Sequence, residues 1–312
     1  MSHAFPGCPQ AASRDVQQIA GRLTSHLQQR FSQEPAFRAD RFPTLARIVA
    51  SAAPDLALPD LATAAEMTAW IYAVDDLIDG RRIPAGELRR RLQAYARRRG
   101  SDDPLGRALG EIDGRLSCHQ AYRSLAGHWN EALERMLEAM HFEAEQGALF
   151  ASGETAPPLD LHMTQGAYSS GLPVTALTFW ILQDRPETPA WIEDLWPFLL
   201  ETGRALRLNN DLVSAAKKEE EQVLNLVLCR AREAQRDRPG LQRATALHQA
   251  QEWARNGVLE SLRRARGLLE RLPEPEHPAP QTIWRLTQFC LHTPLETDYP
   301  ASSVGAGSRS PA

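Results

Sequence analysis

Long stretches of this chain repeat their apolar residues at three- and four-residue spacing. Few alternate at every second position, so helices are what the sequence can build. Clusters of Pro, Gly and Asp interrupt these stretches at Asp102-Asp103-Pro104, 152–158, 184–189, 236–240 and 272–280. They read as loops and leave room for about nine or ten helices. Hydrophobic residues make up 43% of the 312 positions, enough for a sizeable core. The expected fold class is all-α, with one helical domain over 13–296. The ends, 1–12 and 297–312, are rich in Ser, Gly, Pro and Ala and are expected to be mobile, the second as a tail or a lid.

A net charge of −4 gives no general attraction to nucleic acid or to an anionic membrane. Cys8, Cys118, Cys229 and Cys290 are far apart and form no CxxC pair, which favours reduced thiols and a cytoplasmic location over a zinc site or a disulfide framework. The first residues carry no apolar secretory segment, and no run approaches the ~18 uninterrupted apolar residues of a membrane span.

Residues 159–183 are apolar enough for a buried helix, yet Gly166, Gly171 and Pro173 lie inside. Proline removes a backbone donor and clashes with the preceding turn, so a break is expected near 170–173. Two shorter helices joined by a loop would also satisfy this pattern.

Two polar clusters stand out. The apolar helix over 58–80 ends in Asp75, Asp76 and Asp79. Residues four apart share a helix face, so Asp75 and Asp79 point the same way, on a stripe that runs back past Tyr72 and Thr68. Acids at a helix C-terminus oppose the macrodipole and repel one another unless a cation compensates. Hard divalent cations take such oxygen ligands; a solvated helix end is the alternative. A calcium loop is excluded, because Leu77 and Gly86 stand where its ligands belong. The second cluster lies in the helical stretch 203–228, where Asn210 and Ser214 share a face and Arg207 lies close to it. Amide and hydroxyl oxygens can ligate a hard cation, and the Arg207 fork suits phosphate. An amphipathic helix with a wet face is the plain alternative.

Taken together, the clusters resemble the DDxxD and NDxxSxxxE motifs of the class I terpene synthase family. Asp75, Asp76 and Asp79 match the first; Asn210, Asp211 and Ser214 match the second. The order, the spacing and the Gly-Leu-Pro break between them are similar to single-domain bacterial members, over most of residues 15–295. The resemblance implies a helical bundle around an apolar cavity, with both motifs at its mouth holding three Mg²⁺ ions. It implies a lyase that ionises an allylic prenyl diphosphate and cyclises or rearranges the carbocation. Asp75, Asp79, Asn210 and Ser214 would be metal ligands, and Arg207 with Lys217 would bind diphosphate. Tyr72, Tyr168, Phe179 and Trp180 would present π-faces to the cation, and the break at Gly171 would offer carbonyl oxygens or helix-end dipoles. No side-chain base is identifiable; His162, near the break, fits a buried core residue better.

Two departures bear on this. The closing glutamate of the second motif is replaced by Lys218, which cannot ligate a metal. Glu219, one step later, is the expected further metal ligand, turned inward by a π-bulge; a ligand from elsewhere or an altered metal count is the alternative. In addition, no Arg or Lys occurs between Arg135 and Arg185, where many bacterial members place a diphosphate-sensing arginine. That absence is similar to bacterial ent-kaurene synthases. It leans the expected substrate towards a bicyclic, labdane-type diterpenyl diphosphate supplied by a class II diterpene cyclase, with farnesyl diphosphate as the alternative. A homodimer is the assembly kept open. A trans-prenyltransferase would need a second aspartate-rich motif at 210–214, and a non-enzymatic helical scaffold would need neither metal nor cavity.

Overall fold

A helix that is apolar on every side has to be surrounded. Residues 172–182 form such a helix, each of them buried. The computed structural model describes residues 14–79, 83–97, 103–152, 158–220 and 224–292; the tails expected to be mobile lie outside these. Among the described residues there are α-helices and two short 3₁₀ turns, Ala39–Arg41 and Thr188–Trp191, and no strand. The helices are α1 (Arg14–Phe31), α2 (Phe42–Ala52), α3 (Leu58–Asp79), α4 (Ala85–Ala96), α5 (Pro104–Leu116) and α6 (Tyr122–Ala151). They continue with α7 (Leu159–Ser169), α8 (Leu172–Gln183), α9 (Ile192–Glu220), α10 (Leu226–Asp237), α11 (Arg243–Leu269) and α12 (Pro278–His292).

The fold is all-α, as the periodicity requires. The twelve helices exceed the nine or ten expected because some breaks carry little punctuation. Between α5 and α6, for example, Ser117–Ala121 contains neither Pro nor Gly. Where punctuation exists it acts as chemistry demands. Asp103 accepts hydrogen bonds from the Leu105 and Gly106 amides and Pro104 opens α5, a cap worth about 1 kcal/mol.

Helix α8 is enclosed by α3, α6, α9 and α12. Three indoles seal this core, each buried and each with its N–H satisfied. Trp70 donates to the Leu105 carbonyl at 2.8 Å, Trp129 to the Thr178 hydroxyl at 3.0 Å and Trp180 to the Ala279 carbonyl at 2.9 Å. Glu66 of α3 is buried as well, and Arg115 of α5 and His26 of α1 both reach it, at 2.6 and 2.8 Å. A second, smaller apolar cluster joins the later part of α9 to α10 and α11, through Leu208, Leu226, Val227, Ala250 and Val258. Leu206 and Trp284 pack against both clusters.

The expected break is present: α7 ends at Ser169 and α8 starts at Leu172. Gly171 adopts φ +71°, a left-handed conformation, and a Cβ there would lie 2.8 Å from Ile71 Cγ2 of α3. Conformation and space both exclude a side chain. Gly171→Ala is expected to lower stability by at least about 2 kcal/mol, read as a fall in denaturation midpoint; a midpoint like that of the parent would refute the fit.

Candidate active site

Helix α3 presents two different faces at its acidic end. Asp76 accepts a hydrogen bond from Arg41 Nη2 at 2.7 Å, and Arg38 Nη1 lies 3.9 Å away. The Arg41 guanidinium also lies over the Tyr72 ring, 5.2 Å from its centroid. Tyr72 and Asp76, one turn apart, thus grip one buried arginine of the Ala39–Arg41 turn. Asp75 is rotated about 100° from Asp76, onto the stripe of Ile71 one turn earlier. Ile71 is the residue that packs on Gly171. Asp75, half-buried, therefore stands one turn beyond the contact between α3 and the helix break.

Helix α9 reaches the same break from the other side. A Cβ on Gly203 would lie 2.6 Å from the Ala167 carbonyl oxygen, so the α7 and α9 backbones touch there. One turn on, Arg207 runs across Gly166, with its Cγ 2.7 Å from where a Cβ would stand. Its Nη1 donates to Glu143 of α6 at 2.6 Å and lies 3.4 Å from the Ser169 hydroxyl; its Nε donates to Asp211 at 3.0 Å. The Ser169 hydroxyl also donates to Glu143 at 2.7 Å. Asp211, 3% exposed at its side chain, accepts the Leu226 amide at 3.2 Å. Asn225 caps α10 with its carbonyl oxygen and donates its amide to the Asp211 main-chain carbonyl at 2.8 Å. One chain of polar contacts thus ties α6, α7, α9 and α10 together beside the break.

This network revises several expectations. Arg207 turns its Nη1 to Glu143 and its Nε to Asp211. Burial opposes its charge, but Asp211 and Glu143 outweigh that and hold its pKa above the ordinary value. Glu219 does not turn inward: α9 continues as regular helix to Glu220, and Glu219 forms an ion pair with Arg243 of α11. Tyr168 is buried on α7, where Arg135 covers its ring at 5.4 Å and donates to its hydroxyl at 3.0 Å. Phe179 and Trp180 are wholly buried in the main core, Trp180 bonded to α12. These rings are packing elements, and Tyr72 has its face on Arg41. His162 is buried, its Nε2 has no hydrogen-bond partner, and its pKa is pushed down to about 4, first by burial and then by the Arg207 charge. It is a buried core residue, but not the hydrogen-bonded one that a core histidine would be expected to be.

The Asn210 side chain is half-buried on the next turn from Arg207. Ser214 is buried; its hydroxyl donates to the Asn210 carbonyl at 2.7 Å and lies 3.5 Å from the Asn225 amide. Lys217 and Lys218 are half-buried at the end of α9. No cluster of three or more His, Cys, Asp or Glu side chains suits a metal among the described residues, where the Asp79 side chain is not included. The donor set is carboxylate, amide and hydroxyl oxygen, hard ligands that fit a hard divalent cation. Sequence reasoning missed Arg41, Glu143 and Ser169. One signal was available: an arginine four residues before an aspartate on a largely apolar helix has more donors than that one acid accepts, which calls for a second acceptor.

The sequence pattern of terpene synthase family 2, C-terminal metal binding, matches residues 66–262, from α3 through most of α11. The chain belongs to this terpene synthase family. It is a class I terpene synthase, an enzyme acting on prenyl diphosphates, and the matched region is its metal-binding domain. No curated protein sequence matches the chain. Solved structures share the fold. The 2-methylisoborneol synthase of Streptomyces coelicolor A3(2), in complex with Mg²⁺ and 2-fluoroneryl diphosphate, is 17% identical with a TM-score of 0.71, over 93% of this chain and 94% of that one. Hedycaryol synthase in complex with nerolidol is 18% identical with a TM-score of 0.65, covering 93% and 96%. Linalool/nerolidol synthase from Streptomyces clavuligerus, in complex with 2-fluorogeranyl diphosphate, is 17% identical with a TM-score of 0.65, covering 90% and 98%. Among the described residues no helix is long and apolar enough to cross a membrane.

Proposed function

We propose that this terpene synthase uses Asp75 and Asp79 on α3, and Asn210 and Ser214 on α9, to hold Mg²⁺ above the α7–α8 break, and that it ionises an acyclic prenyl diphosphate of ten or fifteen carbons. One observation carries the reading. Both motif helices land on residues 166–171, α3 through Ile71 on Gly171 and α9 through Gly203 and Arg207 on Ala167 and Ser169. The two sets of ligands therefore approach a common segment. The complexes of the similar synthases with fluorinated neryl and geranyl diphosphates support the shorter acyclic substrate.

Bound Mg²⁺ would supply charge neutralisation that makes diphosphate a leaving group. The chain supplies the rest. Asp75 and Asn210 orient the diphosphate, with Lys217 as its direct cationic contact. Asp76 and Asp211 act through their neighbours: Asp76 fixes α3 to Arg41, and Asp211 fixes α9 to Arg207 and to the start of α10. The helix ends at Gly171 face the allylic carbons, and the surrounding core excludes water from the cation. Residues 13–296 form the catalytic domain in this reading.

A bicyclic diterpenyl diphosphate, made by a class II cyclase, is the second reading. It is favoured by the absence of Arg and Lys between Arg135 and Arg185 together with the engagement of Arg207. Incubation with geranyl, farnesyl, geranylgeranyl and labdane-type diphosphates, with Mg²⁺ and with EDTA, separates the readings by product mass. Metal-dependent products from the first two support the proposal. Turnover of the bicyclic substrate alone would replace it, and four intact substrates would end both readings.

Lys218 tests the metal set. On the regular helix seen here, Lys218→Glu places a carboxylate at the closing position of the motif. It is expected to lower the Mg²⁺ concentration for half-maximal rate about tenfold, or about 1.4 kcal/mol. Glu219→Ala, which removes only the partner of Arg243, should leave that concentration unchanged. A raised requirement in Glu219→Ala would mean that Glu219 is a ligand after all.

A further inference from the structure

Away from the motifs, the first half of α9 and the end of α11 border an open groove of about 580 Å³. Residues at i, i+4 and i+8 of α9 line one wall: Trp196 and Leu200, then Arg204. Opposite them stand Arg263, Arg264, Leu268 and, just past the helix, Arg271, with Gly267 leaving the floor open. The wall from residue 196 to 204 is about 12 Å long at helical rise. The lining thus combines an apolar bed with four guanidinium groups and one carboxylate, Glu201, bonded to Arg204 at 2.6 Å, while Arg263 and Arg264 share a second carboxylate, Glu260, beside the groove. Nothing in the ionisation chemistry uses these residues.

We infer that this groove binds a second prenyl diphosphate, held by the arginine rim with its hydrocarbon chain along Trp196, Leu200 and Leu268. Four guanidiniums around one opening match a head that carries several negative charges better than a single carboxylate. Trp196, Leu200 and Leu268 are half-buried along the groove, so a slender chain laid over them would complete their burial. A volume of several hundred cubic ångströms suits a small ligand. Two carboxylates, Glu201 and Glu260, against four arginines still leave the rim positive, so binding there needs no metal. The choice of prenyl diphosphate rests on the proposed function; the anionic amphiphile chemistry rests on the groove.

The probe is geranyl S-thiolodiphosphate, measured by calorimetry on the full chain in EDTA. Parent protein and Asp75→Ala should bind it equally. Arg264→Ala combined with Arg271→Ala, and separately Gly267→Leu, which fills the floor without disturbing a helix, should weaken binding at least about tenfold. Inorganic diphosphate, lacking the chain, and dodecanoate, carrying one charge, should bind much more weakly. No binding in EDTA, binding untouched by the groove variants, or binding equalled by inorganic diphosphate or by dodecanoate would each overturn the assignment. Loss of all enzyme turnover with groove binding intact would instead remove the function proposed above and leave the groove standing.

Discussion

Asp75→Ala is expected to reduce the rate of diphosphate release by about three orders of magnitude or more, while the protein stays folded. A metal-held leaving group accounts for several kcal/mol of the barrier, and each 1.36 kcal/mol is a factor of about ten. Stability should be kept for a separate reason. Asp75 lies in the last turn of α3, where a negative charge opposes the helix dipole, and its removal relieves about 0.3–1 kcal/mol of that repulsion. Asp76 is the control, because it is the next residue and carries the same group. Its carboxylate is the acceptor for Arg41, which is 8% exposed. Asp76→Ala should therefore cost about 1–3 kcal/mol of stability through a stranded guanidinium. Product assays with saturating Mg²⁺, beside thermal melts of both variants, distinguish the two aspartates. Full turnover in Asp75→Ala would sink the assignment of the metal site.

The contrast between Asp75 and Asp76 shows what periodicity can and cannot tell. Spacing placed Asp75 and Asp79 on one face and left Asp76 beside them. It could not tell that Arg41, 35 residues away, would claim Asp76. The break at Gly171 was legible because Gly and Pro act on the backbone itself, through φ and a missing donor, whatever surrounds them. The start of α5 was legible for the same local reason, in Asp103 and Pro104. Arg207 marks the limit. A buried arginine on an apolar helix needs a partner, and the sequence allowed either a diphosphate or an acid. The acid is Glu143, 64 residues earlier on another helix, and only the packing of α6 against α7 brings it there. The aromatics pose the same question. A ring on a buried helix fits a core or a cavity wall, and what decides is the neighbour: α12 for Trp180, Arg135 for Tyr168.

Arg207→Ala is expected to be the most destabilising change beside the site. It leaves Glu143 and Asp211 facing one another with no cation between them, and Asp211 is almost fully buried. Breaking a buried pair by removing one partner costs about 3–5 kcal/mol, because the remaining charge is uncompensated. At about 2–4 °C per kcal/mol for a domain of this class, the melting temperature should fall by about 6–20 °C. A purely structural loss would stop there. If Arg207 also sets the height of α9 over the break, the folded fraction at low temperature should show a reduced kcat with little change in KM, since the ligands Asn210 and Ser214 would shift together. A second readout comes from His162. The Arg207 charge helps to hold that imidazole near a pKa of about 4, so its removal should move the titration upward, followed by the ring-proton resonances with pH. Arg207→Met combined with Glu143→Gln should recover part of the lost stability, because no charge is then stranded against Asp211, but it should not restore kcat. A variant Arg207→Ala that melts like the parent would show that the network bears no load, and α9 would then owe its position to Gly203 on Ala167 and to its packing with α11.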